Sequence, residues 1–185
     1  LHNMPTPPKR ARLLDFCCGS GVIAASLLSS EPSLRLYLSD ADALAVRAAK
    51  INVPEAEAVV LSDCWDALPA KPKKFNWIVS NPPVHLGIQT DFRVLRTLIA
   101  GASKRLKPGG QLWLVTQTYV PVGALLAKQQ AAGKLCEWAA HYEDGRFTVW
   151  RAKRAEKSDQ KDGKRKRGEG SSEPSKNKAS KKSKK

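Results

Sequence analysis

No run among the 185 residues approaches the roughly 18 consecutive apolar positions that a membrane-spanning helix needs, and no secretory leader is expected ahead of the first strand. The chain also lacks any Cys-x-x-Cys pair: Cys17 and Cys18 are adjacent, while Cys64 and Cys136 stand alone. That spacing does not suit a structural zinc site. Buried, reduced thiols in an intracellular protein, cytoplasmic or nuclear, are the expectation, with no metal and no membrane partner. Acidic residues are scarce as well, with 17 Asp and Glu against 32 Lys and Arg, a formal net charge of +15.

The charge is unevenly placed. Residues 1–150 carry 17 basic and 12 acidic side chains, whereas residues 151–185 carry 15 and 5. A folded part of this size buries roughly 70% of its extended-chain surface, enough for a core without disulfides. From Glu156 onward apolar periodicity stops, and the chain cannot bury enough surface to offset its ordering entropy. The expected organisation is one domain over residues 1–155 and a disordered Lys/Arg-rich tail over 156–185. Lys164-Arg165-Lys166-Arg167 suits either a phosphate-attracting arm or a nuclear or nucleolar address. The opening Leu1 reaches the first strand almost at once, which predicts that a segment upstream of it is missing.

Apolar runs alternate with helical patterns, the signature of a mostly parallel sheet covered on both faces. Strands are expected from Arg12 to Cys17 and ending at Asp40, Asp63 and Asn81, with a fifth at Gln111 to Thr116. Helices are expected from Val22, from Asp42 to Ile51, from Thr90 to Leu106 and from Val122 to Ala131. Lys107-Pro108-Gly109-Gly110 reads as a turn. Leu135 to His141 and Phe147 to Arg151 flank Glu143-Asp144-Gly145, a hairpin signal, so two antiparallel strands should close the sheet.

Three strands end on an acid or an amide, at Asp40, Asp63 and Asn81. In parallel sheets ligands bind outside the carboxyl ends of the strands, where the strand order switches. Gly19-Ser20-Gly21-Val22-Ile23-Ala24 matches G-x-G-x-x-G/A, which lets backbone approach a nucleotide-like ligand, and Asp40 stands where a carboxylate accepts from ribose hydroxyls. This much fits a dinucleotide or S-adenosylmethionine equally. Asn81-Pro82-Pro83 is more specific. Two prolines hold the backbone extended and displayed, with one side-chain amide positioned to take the hydrogens of a planar amine. As a plain alternative, the same residues suit a strand-ending turn, and Asp and Asn often begin turns or cap helices.

Ser80-Asn81-Pro82-Pro83-Val84-His85-Leu86-Gly87-Ile88-Gln89-Thr90, with Gly145-Arg146-Phe147, resembles the methyltransferase small domain group of class I methyltransferases, and most closely the ribosomal RNA guanine-N2 methyltransferases of the small-subunit type. The resemblance covers about residues 1–152. It implies a Rossmann-like α/β fold with a seven-stranded, mostly parallel sheet ending in an antiparallel hairpin, and S-adenosylmethionine as cofactor. It assigns Asp15, Gly19 and Gly21 to the methionine end, Asp40 to the ribose, Asp63 to the adenine, and Asn81 with the Pro82 carbonyl to the target amine, Pro83 completing the block. Val84 and His85 fall to the substrate side. RNA, ribosomal or pre-ribosomal, is the implied partner.

Two positions depart from that pattern. Cys17 replaces the glycine usual two residues after the first-strand Asp, placing a side chain where backbone approaches the cofactor. Val84 replaces the ring usual after Asn-Pro-Pro, which weakens stacking on the target base unless another ring supplies it; Trp65, beside Asp63, is the candidate by position, with an ordinary buried aromatic as the alternative. Three other readings stay open: a protein glutamine-amide methyltransferase, a non-catalytic RNA-binding or ribosome-assembly protein that keeps the fold, and a nicotinamide-dependent oxidoreductase.

Overall fold

Leu13, Leu14, Asp15 and Phe16 are all but fully buried, which identifies their strand as one covered on both faces. The computed structural model describes residues 4–68, 74–86 and 89–156. That strand, β1 (Arg12–Phe16), leads to α1 (Val22–Ser30), β2 (Arg35–Asp40), α2 (Ala43–Asn52), β3 (Ala58–Leu61) and β4 (Phe75–Ser80). Then come β5 (His85–Leu86), β6 (Gln89–Thr90), α3 (Arg93–Arg105), β7 (Leu106–Gln117), α4 (Val122–Ala131), β8 (Leu135–Glu143) and β9 (Phe147–Arg154).

Seven strands form one sheet in the order β3-β2-β1-β4-β7-β9-β8. β3, β2, β1, β4 and β7 are parallel, while β9 runs antiparallel between β7 and β8. Period-two alternation divides the core. Leu14, Phe16, Ile78, Leu112 and Leu114 face α3 and α4, whereas Leu13, Leu36, Leu38, Trp77 and Trp113 face the side of α1. The strand order reverses between β1 and β4, so the topology opens its ligand crevice at their carboxyl ends.

Several boundaries differ from those read in the sequence. β1, β3 and β4 stop one or two residues early, leaving Cys17, Asp63 and Asn81 in the loops beyond their ends, while β2 ends at Asp40 as read. The helix expected from Thr90 starts at Arg93, because Gln89–Thr90 pairs with His85–Leu86 in a separate two-stranded ribbon. Lys107-Pro108-Gly109-Gly110 is not a free turn. It lies inside β7, where the pairing with β4 jumps from Phe75↔Leu106 to Trp77↔Gln111. This bulge is tied down by the Asn76 side chain, whose oxygen accepts from the Lys107 ammonium at 2.9 Å and the Arg12 amide at 3.0 Å. Most of the expected basic loop around Lys71, and the tail after Glu156, lie outside the described residues. Among the described residues no helix is long and apolar enough to cross a membrane.

Candidate functional site

The glycine turn leaves β1 with Cys17 at φ +59° and Gly19 at φ +52°, then enters α1 through Gly21 at φ +85°. Gly21 is demanded twice over. Its backbone is left-handed, and a Cβ there would lie 2.8 Å from the Val53 side chain at the end of α2. The turn is held open by Asp40, which accepts from the Gly19 amide at 2.8 Å with one carboxylate oxygen and from the Asp42 amide at 3.0 Å with the other.

Across the switch point, the Ser80 hydroxyl donates to the Phe16 carbonyl at 2.5 Å. That bond ties the last residue of β4 to the last of β1, which sets Asn81 opposite the glycine turn. A cleft of about 460 Å³ results, lined by Cys17, Gly19, Asp40, Asp63, Asn81 and Pro83 among others. A second hollow of about 230 Å³ is lined by Asn81, Pro82, Pro83, Val84 and Gln117. Asn81 and Pro83 thus belong to both walls. Asn81 and Gly19 line one cavity.

The remaining candidates divide. Asp15 is fully buried beneath the turn, with one oxygen accepting from the Ala24 amide at 3.1 Å and the other without a partner among the described residues. Burial pushes its pKa up to about 7 against that hydrogen bond, and the neighbouring Asp40 charge adds to the rise. Neither Asp15 nor Gly21 lines the cleft. Asp63 is exposed and paired with Arg93 at 3.2 Å, and hydrogen bonds from that guanidinium hold its carboxyl below the ordinary range. Val84 is buried in the core beside α3, with only an edge in the second hollow. His85 contributes a backbone pair to Thr90 in the ribbon.

Trp65 does not reach either cavity. Its ring packs on Phe16 with centroids 4.4 Å apart, its indole N–H donates to the Thr97 carbonyl at 2.9 Å, and it fills the space that Gly101 leaves open on α3. The structure gives it a packing role.

Sequence reasoning missed Arg93, Asp91, Cys64 and Gln117, all of which line the cavities. Asp91 offered a signal. Its carboxylate accepts from the Arg93 amide at 2.7 Å, an Asx-type start to α3 that an Asp-x-Arg run announces. Cys64, at φ +50°, carried none. Among the described residues no group of His, Cys, Asp and Glu could hold a metal ion.

A sheet of this order, with acids and an Asn-Pro-Pro turn at the carboxyl ends of β2, β3 and β4, defines a Rossmann-like methyltransferase fold. Within that class the chain belongs to the methyltransferase small domain family, whose residue profile matches positions 1–150. It is 35% identical over 148 residues to a ribosomal RNA small subunit methyltransferase C of Photorhabdus laumondii, spanning 78% of this chain and 41% of that protein. A protein of the same description from Pectobacterium atrosepticum is 36% identical over 79% of this chain and 40% of its own length. The chain thus spans about two fifths of these relatives. A T. thermophilus 16S rRNA N2 G1207 methyltransferase, solved with AdoMet and guanosine, superposes with a TM-score of 0.67 at 23% identity, over 79% of this chain and 38% of that one.

Proposed function

We propose that this protein is an S-adenosylmethionine-dependent methyltransferase acting on the exocyclic N2 amine of guanine in RNA, ribosomal RNA being the substrate class. The observation that carries this reading is the shared wall: Asn81 and Pro83 border both the cleft that Gly19 lines and the second hollow. One cavity suits the methyl donor and the other the acceptor, with the amide between them. The relatives described as ribosomal RNA methyltransferases support the substrate class.

The donor set fits the cofactor. Each Asp40 oxygen accepts one N–H and keeps lone pairs for ribose hydroxyls. Asp63 would take the adenine amine, since its ion pair with Arg93 is more than half exposed on both sides and yields at little cost. The Gly19 turn would hold the methionine end, above Asp15. When bound, the cofactor supplies a methyl group on a positively charged sulfur. The chain supplies the rest: the Asn81 side-chain oxygen and the Pro82 carbonyl accept the two amine hydrogens. Drawing them out of the ring plane frees the nitrogen lone pair and aims it into the cleft. Neither group is basic enough to keep a proton, so the proton released by transfer leaves to water. Positioning and electrostatics suffice for such a reaction.

Labelled cofactor, small-subunit ribosomal RNA and the full chain, followed by nucleoside mapping, test the assignment. N2-methylguanosine is expected. Label found only on protein would favour the glutamine-amide reaction instead. Asn81→Ala should bind cofactor as before and lose roughly 10²- to 10³-fold in transfer rate, the usual loss for one preorganised polar group. A second reading, an RNA-binding protein without catalysis, draws on Cys17, whose side chain enters the cleft where glycine is usual. Tight stoichiometric cofactor binding by calorimetry would count against it.

A further inference from the structure

Among the described side chains the acceptor hollow has no ring: Val84 is aliphatic and buried, and Trp65 is consumed by the packing of α3. A base held by its amine alone would be free to swing about that contact. Planar bases in protein sites are ordinarily held by their faces as well as their edges.

The missing face is supplied across the sheet. Gln117, the last residue of β7, lines the hollow together with Asn81 and the prolines. Its register partner is Phe147, the first residue of β9. Directly opposed residues of an antiparallel pair point to the same face, about 5 Å apart at Cβ. Phe147 therefore stands beside Gln117 on the same face of the sheet, and it remains 39% exposed although it is a large apolar side chain. Its placement is rigid. The Asp144 carboxylate accepts from the amides of Arg146 at 3.0 Å and Phe147 at 2.7 Å, and the Thr118 amide donates to the Arg146 carbonyl at 3.0 Å. Tyr119, two residues beyond Gln117, is 59% exposed on the adjoining turn. The exposed cation of Arg146 precedes the ring. An apolar ring kept rigid and partly bare beside a polar hollow, with a guanidinium next to it, matches one nucleotide: a base face for the ring and a phosphate for the cation.

We infer that Phe147 is the substrate-positioning ring of this site, stacking on the RNA base whose amine Asn81 receives, with Arg146 contacting the adjacent phosphate. This rests on the acceptor assignment made above. It also accounts for how the chain tolerates valine after Asn-Pro-Pro: the ring has moved from the motif to the hairpin facing it.

The test compares the full chain with its Phe147→Leu, Phe147→Trp and Arg146→Gln variants. RNA affinity is read by fluorescence anisotropy on labelled small-subunit ribosomal RNA fragments, and transfer kinetics are read on the same RNA. Cofactor affinity is read by calorimetry and folding by thermal melting. Phe147→Leu should weaken RNA binding or raise KM by at least about fivefold, the lower end of what one stacked base is worth. Cofactor affinity and melting should stay as in the parent, and Phe147→Trp should restore binding. Arg146→Gln should flatten the dependence of affinity on salt by roughly one phosphate contact. The proposal is overturned if Phe147→Leu binds and reacts like the parent, or if Phe147→Trp fails to restore binding. Absence of any methyl transfer by the parent chain would instead sink the enzymatic reading, while the anisotropy series would still judge the ring.

Discussion

Replacing Asp15 by Asn should change how stability depends on pH, because Asp15 is a carboxyl held in the protein interior. Its folded pKa of about 7 lies above the ordinary value of 3.8, raised chiefly by burial. A raised folded pKa means that the native state binds the proton more tightly than the unfolded chain. Stability is therefore full below the unfolded value, declines as pH rises through the folded one, and is flat above it. A gap of about three pKa units corresponds to about 4 kcal/mol in all, of which about 3 falls between about pH 5 and pH 8. Asn keeps the acceptor for the Ala24 amide and carries no charge at any pH. Urea unfolding of both proteins across that range should give a difference that grows with pH in favour of Asp15→Asn, levelling off above about pH 8. Parallel pH profiles for the two proteins would refute the reasoning, since they would mean that Asp15 is already ionised and solvated in the fold.

Two further substitutions probe the cleft and its surroundings. Cys17→Gly removes a side chain from the cleft and relieves a left-handed backbone at φ +59°. Relief of about 1 kcal/mol is offset by a similar gain in unfolded-chain entropy, so melting should barely move while calorimetry shows tighter cofactor binding. Equal affinity would mean that the thiol does not crowd the ligand. Trp65→Ala should cost about 3 kcal/mol in urea unfolding, because it empties the space between Phe16 and Gly101. Where that variant remains folded, its affinity for RNA should equal the parent's, and a loss would return Trp65 to the substrate side.

Much of the fold was legible because its signals are local. The runs ending in Asp40 and Ser80 are buried strands bounded by turn residues, and the α3 stripe of Leu95, Leu98, Ile99 and Ala102 is buried as its spacing predicts. The hairpin between Glu143 and Phe147 follows from Asp144 and Gly145, whose left-handed φ of +84° a glycine accommodates. The misread stretches are those where a distant partner overrides local preference. Lys107 to Gly110 has the composition of a turn, yet Asn76 holds it as a bulge within β7. Thr90 reads as the start of the helical pattern, yet it pairs with His85 in the ribbon.

The site divides in the same way. The Asn-Pro-Pro block, the glycine turn and the acids at the strand ends are chemistry carried by adjacent residues, so the amino-acid order alone determined the kind of ligand and reaction to expect. Which wall each residue occupies was decided by tertiary structure. The Ser80–Phe16 bond brings Asn81 against the cleft, the packing of α3 withdraws Trp65, and the β7–β9 register carries Phe147 to Gln117. Those contacts join residues 30 to 64 positions apart. No local pattern encodes them, because they arise only when separate segments compete for the same buried space.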